Sequence, residues 1–328
     1  MGPCNSTNIK ANRPIRIRIE NSRRTFNPTK SDYLLSDDLS NKSKITRKYS
    51  ISTEYLGKGS SGVVSEATDK NGKKYAIKCI NKLIFNNVAN ITSEVEISLL
   101  LNHEHIIKCY EVYEDLKTIS FVMELIEGGD LLDYITKSPI HHLTDDISIE
   151  LIIQILETIK YLHVENKIAH RDIKPENFLV VFDRYQKPKI KLIDFGFACF
   201  VPQSGTMDDF LGSPIYTAPE ILKKEKYDMK VDIWSTGIVL FNMLTGYQPF
   251  SAEKEEDLDN EELTKDINFS VILNEELREL CMMMLEKDPK RRSNVEEALN
   301  FAKKIKRDMS SPRSSGSGSK LNLNAEEK

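Results

Sequence analysis

The chain has 328 residues, 40% of them hydrophobic and 29% charged, with a formal charge of only −4 at pH 7. That length suffices for a large core and for two lobes or domains, and the composition is that of an ordinary soluble globular protein. The small net charge gives no global sign of nucleic-acid binding, no apolar run reaches the ~18 residues needed to span a bilayer, and from the polar N-terminus no secretory leader is expected.

Residues 1–48 hold eleven Lys and Arg against four Asp and Glu, with many Ser, Asn and Thr. They read as a basic, disordered arm or a docking arm; RIRIE at 16–20 alternates like a strand but stands alone. The start, MGPCNS, fits the loose pattern for N-terminal acylation at Gly2, with Ser6 at the right distance and Cys4 as a second acceptor, but Pro3 departs from it and an ordinary, unmodified start is the better reading. One acyl chain anchors only marginally, so any weak membrane association would lean on the basic arm. From Tyr49 to about residue 120 strands are expected: ISTEYLGKGSSGVVSEATD alternates and breaks at glycines, and KKYAIKCI is short and apolar. ITSEVEISLLLNH has helical spacing, and FVMELI at 121–126 reads as a buried strand stopped by Gly128 and Gly129. From residue 131 onward helices dominate. SIELIIQILETIKYLH is amphipathic, VDIWSTGIVLFNMLTG is apolar enough for a core helix, and ELRELCMMMLEKDP runs to a proline. After residue 302 a flexible polar tail is expected, Ser- and Gly-rich toward its end. The five cysteines, Cys4, Cys79, Cys109, Cys199 and Cys281, are scattered without a CxxC pair, so a reduced, cytoplasmic protein without structural zinc is expected.

LGKGSSGVV places Gly57, Gly59 and Gly62 in G-x-G-x-x-G, followed by Val64. Strand-like sequence on both sides makes this a hairpin bend, which serves equally as a plain turn or as a loop laying backbone N–H groups over phosphates. It does not open a βαβ unit, which excludes a dinucleotide-dependent oxidoreductase. Lys78, on the next strand, can reach phosphate oxygens as a point charge. An acid should hold it; Glu94 is the candidate, with Glu96 the competitor on another part of the helix surface. Each such charge, taken alone, also reads as a solvated surface group. IAHRDIKPENFLV gathers Asp172, Lys174 and Asn177 within six residues. IKLIDFGFA puts Asp194 at the end of a β-branched run, where a carboxylate suits a hard metal; with the Asn177 oxygen the set suits magnesium.

Taken in order, the glycine loop, AIK, a helical Glu, HRDxKxxN, DFG at 194–196 and APE at 218–220 resemble the signature set of the eukaryotic protein kinase family across residues 50 to 302. GSPIYTAPEIL, the run from YDMKVDIW to GYQPF, and DPKRRS look most like the calcium/calmodulin-dependent and calcium-dependent group. The resemblance implies an α+β, bilobal fold, with a β-rich N-lobe (49–125) and a helical C-lobe (126–302). It implies a Ser/Thr protein kinase using ATP and Mg²⁺, with a protein substrate and no nucleic acid as partner. Residues 170–177 would form the catalytic loop: Asp172 accepting the substrate hydroxyl proton, Lys174 steadying the transferring group, Asn177 and Asp194 holding metal. Lys78 and Glu94 would form the phosphate-positioning pair. Leu56, Gly57, Gly59, Gly62, Val64, Ala76, Met123 as gatekeeper, the hinge Glu124-Leu125-Ile126, Leu179, Glu176 and the ribose-facing Asp130 would contain the nucleotide. Asp232 would brace the catalytic loop, and Glu220 would pair with Arg292. The alternative is a pseudokinase or scaffold that binds nucleotide or partners without catalysis. The presence of Lys78, Asp172, Asn177 and Asp194 argues against it.

Asp209 stands where many relatives carry a phosphorylatable Thr, so two readings stand: it pairs with Arg171 and orders the loop without phosphate, or Asp208 and Asp209 are solvated acids on a mobile loop; Thr206 and Ser204 remain as phosphosites. Asp130 and Glu176 match positions that hold an Arg upstream of the acceptor in basophilic kinases. Asn242 replaces a further acid, so one basic determinant is expected. Ser213 and Lys174 favour Ser/Thr acceptors. No EF-hand loop follows residue 302 in this sequence, and KKIKRDMSSPRSS makes a poor amphipathic calmodulin-binding helix, so direct calcium or calmodulin control is not expected unless a partner or a further C-terminal extension supplies it.

Overall fold

The computed structural model describes residues 44–59, 62–82, 88–250 and 265–310. The acylation motif at Gly2 and Cys4, the RIRIE segment, residues 251–264 and the tail beyond 310 lie outside the described residues.

Five strands form one antiparallel sheet in the order β1-β2-β3-β5-β4: β1 (Tyr49–Gly59), β2 (Gly62–Asp69), β3 (Lys74–Asn81), β4 (Cys109–Glu114) and β5 (Thr118–Met123). Strand alternation divides their side chains between two apolar layers. Ile80, Phe121 and Met123 pack with Ile91 and Val95 of α1 (Val88–Leu100). Ile77 and Val122 point the other way and pack with Ala67, Tyr49 and Ile45. Ile45 is 4% exposed, which corrects the boundary expected for the arm. The segment 44–48 belongs to the lobe because it supplies the cover for the second face of the sheet. A second correction falls at the sheet's far end: β5 stops at Met123, not Ile126. The Glu124 N–H still bonds the Lys108 carbonyl (2.9 Å), but the chain then leaves the ladder.

The C-lobe is mainly helical. It holds α2 (Leu131–Thr136), α3 (Asp145–Lys160), α4 (Pro219–Leu222), α5 (Lys230–Thr245), α6 (Glu275–Met284) and α7 (Val295–Ser310). Two small antiparallel pairs, β7 (Phe178–Phe182) with β8 (Pro188–Leu192) and β6 (Ile168–Ala169) with β9 (Cys199–Phe200), carry the site loops. Thr144 caps α3, accepting from the Ile147 N–H. α3 is more enclosed than a one-faced amphipathic helix: Ser148, Ile149 and Leu151–Leu156 are all buried. Its buried Gln154 is satisfied on both sides, donating to the Pro188 carbonyl and accepting from the Ile190 N–H. α5 is the expected core helix, buried from Val231 through Met243. It ends at Gly246 (φ 79°), where a Cβ would come within 2.1 Å of the His141 carbonyl, so only glycine fits. α6 ends at Met284, before the expected Pro289.

α7 corrects the expected tail. The periodicity continues through KKIKRDM: Val295, Ala298, Leu299, Ala302 and Ile305 are buried, and the helix runs to Ser310. Its lysines reach α3, Lys303 to Glu157 (2.7 Å) and Lys306 to Glu150. Among the described residues no helix is long and apolar enough to cross a membrane.

Candidate active site

The geometry of the site starts from Asp232, fully buried on α5. Its carboxylate accepts the His170 N–H (2.8 Å), the Arg171 N–H (2.7 Å) and the His163 Nε2–H (2.8 Å). Burial alone would favour its protonation, but the His163 hydrogen bond and the surrounding donors hold it below the usual carboxylate range. Two consecutive backbone N–H groups are thus fixed on one side chain. Arg171 takes a left-handed conformation (φ 66°), and the chain turns sharply there. Residues 170–174 have no regular structure, and Pro175–Asn177 adds a short 3₁₀ turn.

This backbone brings the three polar side chains together. Asn177 donates from Nδ2 to the Asp172 carbonyl (2.7 Å) and to Asp172 Oδ2 (3.0 Å). Lys174 Nζ lies 2.9 Å from Asp172 Oδ2. The Ser213 hydroxyl donates to Asp172 Oδ1 (2.8 Å) and accepts from Lys174 Nζ (2.7 Å). Asp172 is 7% exposed, so these contacts act in a poorly solvated place.

Asp194 lies two residues past the end of β8. The Ile193 N–H bonds the Asn177 carbonyl (3.0 Å), which ties the two loops together. Lys78 on β3 reaches both Glu94 Oε1 (2.7 Å) and Asp194 Oδ1 (2.8 Å). Burial of the lysine is more than offset by the two carboxylates, which raise it above the usual range and keep it charged. Glu96 is exposed, so the sequence choice of Glu94 stands. Asp194 also accepts from the Gly196 N–H (3.1 Å).

The residues expected to contain a nucleotide have mixed placements. Registers Val64↔Lys78 and Ala76↔Met123 place these residues around the strand that carries Lys78. Ala76 and Met123 are buried, Val64, Ile126 and Leu179 half-buried, and Leu56 and Gly57 exposed on the glycine hairpin with Gly59 at its end. Gly62 (φ 139°) sits so near the Cys79 carbonyl that a Cβ would approach it to 2.3 Å. Asp130 bridges to Leu179, and its carboxylate caps α2, accepting from the Asp133 N–H (2.8 Å). Glu176 is exposed on the 3₁₀ turn. The Glu124 side chain is committed outside the expected nucleotide edge, to the Lys108 N–H and to Lys191.

The activation segment closes on Arg171. The guanidinium donates from Nε to the Phe197 carbonyl (2.8 Å) and from Nη1 to Asp209 Oδ2 (2.7 Å) and the Tyr227 hydroxyl (3.3 Å). The Asp209 pairing expected from sequence is present; the part of Tyr227, which donates to the Asp209 carbonyl (2.9 Å), was not. Glu220 and Arg292 form the expected pair, bidentate at 2.6 and 2.8 Å and fully buried, with Trp234 under the guanidinium.

The donor set fits a hard cation with phosphate. Asp194 offers a carboxylate, and both Asn177 hydrogen bonds use its nitrogen, leaving the amide oxygen for a metal. The charged Lys78 stands beside them.

Comparison with known proteins agrees with this arrangement. A family model described as "Protein kinase domain" matches residues 50–302. The chain is 35% identical over 266 residues to calcium-dependent protein kinase 5 of Plasmodium falciparum, covering 80% of this chain and 46% of that protein. It is 34% identical over 264 residues to calcium-dependent protein kinase 19 of Arabidopsis thaliana (78% and 47%). It is 32% identical over 309 residues to serine/threonine-protein kinase RAD53 of Saccharomyces cerevisiae (87% and 36%). The chain spans about half, or less, of the length of these relatives.

Proposed function

Since the chain belongs to the protein kinase family, we propose that it transfers the γ-phosphoryl group of Mg-ATP to Ser or Thr hydroxyls of protein substrates. One observation carries the reading. The Ser213 hydroxyl, 2.8 Å from Asp172 and 2.7 Å from Lys174, shows that this carboxylate and ammonium can hold one hydroxyl between them. A substrate hydroxyl needs the same two groups: an acceptor for its proton and a cation beside the oxygen as it attacks.

Asp194 and Asn177 would hold magnesium, and Lys78 would meet the phosphate oxygens in place of one of its present carboxylates. The metal, when bound, neutralises charge on the phosphates. Everything else falls to the chain. Asp172 orients the acceptor and takes its proton. Lys174 stabilises negative charge next to it. Glu94 keeps Lys78 from wandering, and Asp232 keeps the loop in register. Asp130 and the exposed Glu176 support a preference for one Arg upstream of the acceptor.

The test is phosphate transfer from Mg-ATP to a Ser peptide bearing an Arg three residues upstream, compared with the same peptide carrying Ala there. Transfer that Asp172→Asn abolishes while ATP binding persists supports the reading. ATP binding by the wild-type chain with no transfer to any peptide would overturn it in favour of a non-catalytic binding protein.

A further inference from the structure

Three chain segments meet behind the expected nucleotide edge. The hinge begins at Glu124. Residues 105–108 run between the lobes, and β8 leads through Ile193 to Asp194. The backbone ties the middle segment to both others: Glu124 N–H to the Lys108 carbonyl (2.9 Å), Ile107 N–H to the Leu192 carbonyl (2.9 Å) and Leu192 N–H to the His105 carbonyl (2.9 Å). The third side of this triangle is made by one carboxylate. Glu124 Oε1 accepts both the Lys108 N–H (2.8 Å) and the Lys191 ammonium (2.7 Å). Lys191 lies on β8, three residues before Asp194. The two side chains are 20% and 21% exposed, so the pair is shielded more than a surface bridge yet keeps some water. The Lys108 ammonium is engaged elsewhere, on Asn102 Oδ1 (2.7 Å).

We propose that Glu124 and Lys191 are positioning residues for the nucleotide: their ion pair fixes the hinge backbone at a set distance from the strand that delivers Asp194. The inference rests on the kinase reading for the ligand. The pair coexists with an assembled Lys78–Glu94 contact, so it belongs to the ordered site. Without it, the start of the hinge keeps its bonds to Lys108 but loses its direct side-chain tie to β8, and gains freedom to shift relative to that strand. A nucleotide would then have to order the hinge on binding, which weakens its apparent affinity.

The experiment compares steady-state kinetics of the full chain with Glu124→Gln, Lys191→Met, Lys191→Arg and the surface control Glu114→Gln, which breaks only the exposed Lys82–Glu114 pair. Glu124→Gln and Lys191→Met are expected to raise KM for ATP about threefold to tenfold, with kcat and peptide KM changed less than about twofold. Lys191→Arg should restore the wild-type KM, and Glu114→Gln should leave it unchanged. Misfolding would lower kcat per total protein without this KM split. Unchanged ATP KM in both disabling variants would overturn the proposal, as would a rise in kcat, which would make the pair a restraint on the lobes. If the wild-type chain transfers no phosphate, the kinase reading falls, and calorimetric ATP affinity of the same variants still decides the positioning claim.

Discussion

Asparagine at position 209 keeps the side-chain shape and removes its charge. In the structure that charge meets Arg171 Nη1 at 2.7 Å. The two partners are unequal: the Arg171 side chain is 4% exposed, whereas Asp209 is 64% exposed. A fully buried pair broken on one side costs about 3–5 kcal/mol and an exposed pair about 0.2–1, so solvent screening at Asp209 places this contact near ~1 kcal/mol. Tyr227 still holds the Asp209 carbonyl and exchanges backbone hydrogen bonds with Met207, so the loop loses its side-chain tie at Asp209 but keeps others. If loop order limits the active population, ~1 kcal/mol corresponds to about a fivefold fall in kcat/KM. The assay is peptide phosphorylation by phosphatase-treated wild type and Asp209→Asn, at low and high salt. The difference should shrink with salt because the carboxylate is exposed. Equal activity of the two proteins would refute the claim that Asp209 orders the segment. Loss of wild-type activity after phosphatase treatment would move the switch to Thr206 or Ser204.

Ser213→Ala removes a hydrogen bond to a buried carboxylate, worth about 1.5–3 kcal/mol, and should lower kcat about tenfold to a hundredfold with little change in KM for ATP; Ser213→Thr, which keeps the hydroxyl, should recover most of it, and equal activity of the alanine variant would remove Ser213 from the site. A chain beginning at residue 49 lacks Ile45 and should be about 1.5–3 kcal/mol less stable in urea than one beginning at residue 44. Matching midpoints would mean that the cover is dispensable. Burial holds His105 and His170 below the usual histidine range, so the unfolded chain binds protons near pH 6.5 that the native chain does not. Stability is therefore lost as pH falls below that point, by up to about 1.4 kcal/mol per pH unit for each ring, or about 2.8 for both. Urea midpoints that stay level between pH 7.5 and 5.5 would show that these rings are not buried neutral.

The catalytic loop and its partners were legible because their chemistry is concentrated in short runs. HRDxKxxN and DFG each state a function within eight residues, and helical phase separates Glu94 from Glu96. What escaped the sequence is long-range. Lys191 and Glu124 lie 67 residues apart, and Tyr227 meets Arg171 across 56; neither carries a local pattern. Ile45 is one apolar residue in a polar arm, and its burial depends on a sheet face that only the folded lobe presents. The end of α7 was misread because its lysines suggest solvent, whereas the stems cross to acids on α3 while Ile305 continues the buried stripe.

The Glu220–Arg292 pair has a consequence for how this chain can change. Removing either partner strands the other charge in the core, at about 3–5 kcal/mol, against a net stability for a folded domain of about 5–15. Replacing both by apolar residues of matching volume can be neutral. The two positions, 72 residues apart, therefore behave as one heritable unit. Any path that alters them one at a time crosses a poorly folded intermediate, so drift at this site is confined to double steps or to backgrounds already carrying surplus stability.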